Sequence, residues 1–255
     1  MLKFDCQKGI ISRIGDMAKN ITLYKKRLDQ LRSKIYKTNR PKKANVRYVL
    51  DWLGKKRKVN TPKIKIVPIT RLTDWAYFKD EGVVRHNRGA DHFFSVQGVV
   101  VQNALTSEIS GWNQPIIVQQ EGGYLVILCQ EKEGTIKFLL QGKFEAGNIG
   151  GVQLGPSIQA TMSNLKQHHS GRKPLMSEFI NNPQTTIIYS AKHNEEGSRF
   201  WQKSNVNRLV LLKPNTKLPI EGNDNFIWLT LPEIKALMLH DNVVNPFVKT
   251  ILSPL

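Results

Sequence analysis

The hydrophobic residues of this chain change their period once, and that switch limits what it can fold into. Over residues 10–37, which lack proline, Ile14, Met17, Ile21, Tyr24, Leu28, Leu31 and Ile35 recur every three or four positions. That spacing gathers them on one face of a helix. Lysines and arginines fill the other face, and Asn39, Arg40 and Pro41 break the run. A second short helix is expected over 46–53, stopped by Gly54, with a basic run, KKRK, behind it at 55–58. From about Ile64 the pattern turns to short β-rich runs separated by Gly or Asn: HFFSVQGVVVQ, QPIIVQQ, GYLVILCQ and GTIKFLLQGKF. EKEG at 131–134 is a hairpin signal between the last two. Further strands are expected at 185–190 and 208–212. TLPEIKALMLHD closes the pattern as a helix, with Thr230 as N-cap, Pro232 in the first turn and Glu233 three residues after the cap. The expected class is α+β: a mixed sheet with flanking helices over 46–255, preceded by a basic helical extension over 1–45.

Charge follows the same divide. Residues 1–66 hold 20 Lys and Arg against Asp5, Asp16, Asp29 and Asp51, so +16 of the chain's +18 lies in its first quarter. The rest is close to neutral, and overall basicity says little about what the main domain binds. A basic helix can meet nucleic acid or an anionic membrane, or it can be the solvated side of a helix packed on its apolar stripe. Two cysteines, Cys6 and Cys129, exclude a disulfide scaffold and a four-cysteine zinc site. No apolar run is long enough to span a bilayer, and the first residues lack the pattern of a signal peptide. The expected setting is the cytoplasm.

Most chemical motifs are absent. There is no Walker A loop, no G-x-G-x-x-G after a strand and no G-x-S-x-G elbow. His168 and His169 are adjacent, so their side chains diverge and make a poor metal pair. GNIGGVQLG could approach a phosphate with backbone N–H groups, or simply turn the chain. One stretch is richer. Residues 141–172 carry Gln141, Lys143, Glu145, Asn148, Gln153, Gln159, Ser163, Asn164, His169 and Arg172 among glycines. Such a density of amides and charges suits a ligand with many hydroxyls and phosphates, or a solvated loop.

That stretch resembles the signature of the NDP-4-keto-6-deoxyhexose 2,3-dehydratases. The family pattern Q-A-K-x-E-P-G-N, then Q-L-S-P-T-x-Q-A-T-x-S-N-Y, then H-x-G, is matched by QGKFEAGN from Gln141, QLGPSIQATMSNL from Gln153 and HSG from His169. Upstream, His86 with HFFSVQGV and the Trp112–Gln114–Pro115 group are similar to further family elements. Downstream, GSRF at 197–200, WLTL from Trp228 and DNVVN from Asp241 are similar to its closing ones.

The resemblance implies a Nudix-like mixed-sheet domain without the Nudix glutamate box, so metal-dependent pyrophosphate cleavage is not expected. It implies no redox or metal cofactor. The implied substrate is a nucleoside-diphosphate 4-keto-6-deoxyglucose, usually the thymidine form, dehydrated across C2 and C3. The C4 ketone acidifies the C3 hydrogen, a base removes it, donors stabilise the enolate, and the C2 hydroxyl leaves. Glu145 is the expected proton acceptor, with Lys143 and His169 as further acid/base candidates. Lys143 and Glu145 could instead pair as ions across one strand face. Expected substrate contacts are His86, Phe94, Trp112, Gln114, Gln141, Asn148, Gln153, Gln159, Ser163, Asn164, Arg172 and Asn242. The sequence departs from the pattern at Ala146, Met162 and Leu165, which leaves open a module that binds a nucleotide sugar without turning it over. Familiar members carry two such modules, so a homodimer is the expected partner arrangement; a membrane is not expected, nor is nucleic acid, which remains only as the rival reading of the basic N-terminus.

Overall fold

Two helices precede every strand. The computed structural model describes residues 4–38, 44–59, 62–89, 93–105, 108–119, 121–165 and 173–255, with side chains from Lys19 onward. Helix α1 spans Phe4–Thr38 and α2 spans Arg47–Val59. The apolar stripe of α1 divides along its length. Leu31 and Ile35 are buried with Leu28 beside them, in the same core as the sheet residues, whereas Ile21 is 63% exposed. Arg27 fastens the helix by donating to the Ile187 carbonyl at 2.6 Å. The second half of α1 thus packs as part of the main core.

Helix α2 does not stop at Gly54, as its glycine suggested; it runs on through the basic residues to Val59. Lysine and arginine are good helix formers, and one glycine costs a helix only about 1 kcal/mol. Tertiary anchors offset that cost. Lys56 is buried and reaches Asp224 at 2.5 Å. Arg57 donates from Nε to the Val152 carbonyl at 2.9 Å and from Nη2 to the Asn242 carbonyl at 2.6 Å. Half of the KKRK run is therefore structural.

The strands start later than the composition suggested, at Trp75 rather than near Ile64. Strands β1 (Trp75–Phe78), β2 (Val83–His86), β3 (Ser95–Val101) and β4 (Trp112–Val118) form a four-stranded antiparallel sheet in chain order. The larger sheet holds β5 (Gly123–Lys132), β6 (Thr135–Phe144), β7 (Val152–Pro156), β8 (Ile158–Thr161), β9 (Thr186–Asn194), β10 (Ser204–Leu211) and β11 (Phe226–Thr230). Its main path runs β11-β6-β5-β10-β9, with β7 beside β6 and β8 beside β5. Every pairing is antiparallel except β5 with β10. The turn expected at EKEG is present: Glu133 and Gly134 both have positive φ, 52° and 71°, as a two-residue type I′ hairpin requires.

Alternation builds the core. The one-turn helix α3 (Met162–Leu165) follows β8. On β5, Leu125, Ile127 and Cys129 face a layer made by α1, α2 and two C-terminal helices, α4 (Leu231–Leu237) and α5 (Pro246–Leu252). Val126 and Leu128 face the opposite side, against Met176, Phe179 and Ile180. A strand buried on both faces reads as a continuous apolar run, which is what GYLVILC shows. Helix α4 starts with the capping box expected from Thr230 and Glu233. The mixed-sheet α+β class expected from the sequence is the one observed. Among the described residues no helix is long and apolar enough to cross a membrane.

Candidate active site

The two sheets meet at one seam. The segment after β9 lies along the edge of β4: Ile117 N–H donates to the Arg199 carbonyl at 2.8 Å, and Trp201 N–H to the Ile117 carbonyl at 2.9 Å. A cavity of about 360 Å³ opens there, lined by Val99, Trp112 and Ile116 on one side and Phe200, Trp201 and Lys203 on the other. A second cavity of about 180 Å³ lies at the N-terminal ends of β5 and β10, with Lys143, Gln159, Thr161, Asn164 and Asn205 in its wall. Glu195 and Lys203 line both. The two cavities are compartments of one groove, aromatic at one end and polar at the other.

Backbone packing fixes the polar end. Gly123 opens β5 against β8, and a Cβ there would lie 2.6 Å from the Ala160 carbonyl oxygen, so only glycine lets the two backbones approach. The Gly123 N–H is turned to the Asn205 Oδ1 at 2.9 Å, and Asn205 Nδ2 donates to Glu195 Oε1 at 2.5 Å. Lys203 Nζ donates to Gln119 Oε1 at 2.5 Å, lies 3.9 Å from Glu195 Oε1 and sits 5.0 Å from the centroid of the Phe200 ring. Burial pushes the Lys203 ammonium below the usual lysine range, partly offset by Glu195 and Glu121.

The residues singled out in the sequence separate into three groups. Lys143, Gln159 and Asn164 line the polar compartment, and Trp112 and Gln114 the aromatic one. There Trp112 Nε1 donates to Gln114 Oε1 at 2.9 Å, and Gln114 Nε2 to the Ser198 carbonyl at 2.7 Å. Among the described residues Lys143 makes no ion pair, so it and Glu145 are not a strand-face pair.

A second group stands behind the groove or away from it. Glu145 accepts from Gln159 Nε2 at 2.9 Å and from Asn245 Nδ2 at 3.2 Å, tying β8 to the N-cap of α5. Ser163 is buried and bonded to Thr161 Oγ1 at 2.9 Å. Gln141 donates to the Pro156 carbonyl at 2.8 Å. Gln153 is buried on β7 opposite Lys143. Asn148 lies in the turn before β7, where Gly151 N–H donates to its carbonyl at 2.9 Å and its side-chain nitrogen is buried with no partner among the described residues. His86 and Phe94 belong to an aromatic cluster with Trp75, at centroid separations of 5.6 and 4.6 Å. His86 Nδ1 accepts from the Arg88 N–H at 3.1 Å. Asn242 holds a left-handed turn, φ 57°, whose carbonyl Arg57 grips. His169 and Arg172 form the third group, outside the described residues.

Sequence reasoning missed Tyr124, Glu195, Lys203 and Asn205. Its one signal near them was GSRF, whose Gly197, Ser198 and Phe200 line the aromatic compartment.

The family model described as NDP-hexose 2,3-dehydratase matches residues 46–255. Curated relatives named dTDP-4-dehydro-6-deoxy-alpha-D-glucopyranose 2,3-dehydratase include those of Saccharopolyspora spinosa, 34% identical over 79% of this chain and 40% of its own length, and Amycolatopsis orientalis, 34% over 79% and 43%. That of Streptomyces violaceoruber is 31% identical over 80% of this chain and 45% of its own length. The chain thus spans less than half the length of these relatives. Among solved structures, an Ap4A hydrolase of C. elegans has a TM-score of 0.33 at 14% identity, covering 53% of this chain and 96% of that one. A Nudix hydrolase from M. smegmatis has 0.30 at 13%, covering 60% and 92%. At scores this low the likeness carries no argument. The match over residues 46–255, together with relatives above 30% identity across four-fifths of the sequence, makes this chain a member of the NDP-hexose 2,3-dehydratase family.

Proposed function

We propose that this chain dehydrates a nucleoside-diphosphate 4-keto-6-deoxyglucose, in the thymidine form its relatives are named for, across C2 and C3 in deoxysugar biosynthesis. The observation that carries the reading is the two-part groove. Its aromatic end, with Trp112, Phe200 and Trp201, offers flat apolar surfaces for a nucleobase. Its polar end, with Lys143, Gln159, Asn164 and Asn205, offers amides and a cation for a hexose. Lys203 lines both compartments, a cation within reach of a ligand that spans them. Together the compartments fall within the usual volume of a small-molecule site, about 300–1,000 Å³. Gln159 adds a buried Oε1 with no partner among the described residues, an acceptor that a sugar hydroxyl can satisfy.

The chemistry runs on acid–base groups. Loss of the C3 proton gives an enolate with its charge on the C4 oxygen, which a desolvated lysine stabilises. Collapse of the enolate expels the C2 hydroxyl as water, and the resulting C3 enol tautomerises to the 3,4-diketone. Glu145, with both oxygens engaged by amides, serves in this reading to hold Gln159 in the wall. Two copies of the chain pair in solution, a reading supported by the exposed Ile21 and Leu23 on α1. The setting is the cytoplasm, where the buried Cys129 stays a free thiol.

The test incubates the purified chain with dTDP-4-keto-6-deoxyglucose in deuterated water, followed by NMR and mass spectrometry. Water loss with deuterium at C2 of the product, or exchange at C3, is expected. Binding without exchange or water loss favours a module that only holds the sugar nucleotide, in line with Met162 and Leu165. No binding removes the reading.

A further inference from the structure

A proton acceptor needs to face the substrate, and it takes a proton more readily through an oxygen that accepts no other hydrogen bond. Glu145 meets neither condition: Oε1 accepts from Gln159, Oε2 from Asn245, and the residue is absent from the lining of both compartments. Among the described residues one carboxylate lines the groove, and it lines both compartments: Glu195. Its side chain is 14% exposed. Asn205 Nδ2 and Lys203 Nζ both approach Oε1, at 2.5 and 3.9 Å. Among the described residues Oε2 makes no hydrogen bond. The amide thus orients the carboxylate through one oxygen and leaves the other available, an arrangement suited to general-base catalysis.

We infer that Glu195 is the catalytic carboxylate that removes the C3 proton, and that Asn205 is its positioning residue; the inference rests on the dehydratase reading. The C3–H bond breaks toward Oε2, and its electron pair becomes the C3–C4 double bond of the enolate, with the charge on the C4 oxygen beside Lys203. The C4 carbonyl then re-forms, a C2–C3 double bond forms and the C2–O bond breaks. The departing hydroxyl takes the proton from Glu195 and leaves as water, which restores the carboxylate. A proton moves from the C3 enol oxygen to C2 and completes the diketone.

The test compares wild type, Glu195→Gln and Glu145→Gln in the full chain, with dTDP-4-keto-6-deoxyglucose in deuterated water. Glu195→Gln keeps an oxygen for the Asn205 amide and is expected to keep the wild-type melting temperature and KM. Its kcat and C3 exchange fall by about 10²–10⁴-fold, and the acid limb of the wild-type pH–rate profile disappears. Glu145→Gln is expected to melt at a lower temperature while retaining that acid limb. Wild-type exchange in Glu195→Gln, or loss of exchange and of the acid limb in Glu145→Gln alone, overturns the inference while leaving the dehydratase reading intact. A wild type that neither exchanges nor loses water refutes the dehydratase reading and this inference with it.

Discussion

Exchanging Asn205 for aspartate alters one group on a buried side chain and reverses what that side chain offers Glu195. Asn205 is 7% exposed on β10, accepting from the Gly123 N–H at 2.9 Å and donating to Glu195 Oε1 at 2.5 Å. Asn205→Asp keeps the acceptor and sets oxygen against oxygen at the second contact. Loss of a hydrogen bond to a charged group costs about 1.5–3 kcal/mol. With both carboxyls ionised at about 3 Å, an effective dielectric of about 20 adds on the order of 5 kcal/mol. A unit of pKa corresponds to about 1.4 kcal/mol, so the introduced carboxyl takes up a proton instead. Its proton affinity is then higher in the folded chain than in the unfolded one. The folded state binds more protons across that window, and stability falls as pH rises. Urea midpoints for variant and wild type, compared at about pH 5 and about pH 8, are expected to show a gap that widens toward the alkaline side and exceeds about 3 kcal/mol there. A gap of the same size at both pH values means that no second carboxylate faces position 205, and it refutes the geometry drawn for the groove.

Two further substitutions test the fold and its electrostatics. Leu31→Ala removes a side chain that is 3% exposed at the contact of α1 with the core; a loss of about 2–5 kcal/mol and a clear drop in melting temperature are expected, and an unchanged melting curve means that α1 is not docked. Lys203 has its ammonium pushed down by burial, so the folded chain binds fewer protons there than the unfolded chain at alkaline pH, and stability rises with pH through that window. The wild type is therefore expected to gain on Lys203→Met as unfolding is followed from neutral pH toward the ordinary lysine range, and a difference independent of pH contradicts the buried placement.

What was legible in the sequence was what depends on near neighbours. The heptad-like spacing of α1, the two-residue turn at Glu133 and Gly134, and the capping box at Thr230 are each decided within a few residues, and each is present. Elements missed were those whose stability comes from elsewhere. Gly54 reads as a stop, but α2 continues because Asp224 and the Val152 and Asn242 carbonyls hold Lys56 and Arg57. Strand β7 read as part of a glycine-rich turn, yet all five of its residues are buried. The candidate site divides in the same way. Lys143, Gln159 and Asn164 stood out through their amide-rich stretch. Glu195, Lys203 and Asn205 flank GSRF without belonging to it, and it is the pairing of the following strand β10 with β5 that brings this segment to that stretch.

The parallel pairing of β5 with β10 also orders the assembly of the molecule in time. The Gly123–Asn205 bond joins groups 82 positions apart, whereas β5–β6 closes through a two-residue turn. Bringing together ends that far apart is entropically costly and slow compared with hairpin closure. The groove therefore comes into existence late, after the β5–β6 hairpin has formed, when β10 docks beside β5 and brings Lys203 and Asn205 to the Gln159 wall. A nascent chain that has emerged only as far as residue 172 carries the family's amide-rich signature but has no enclosed pocket, and ligands cannot assist its folding until β10 has followed.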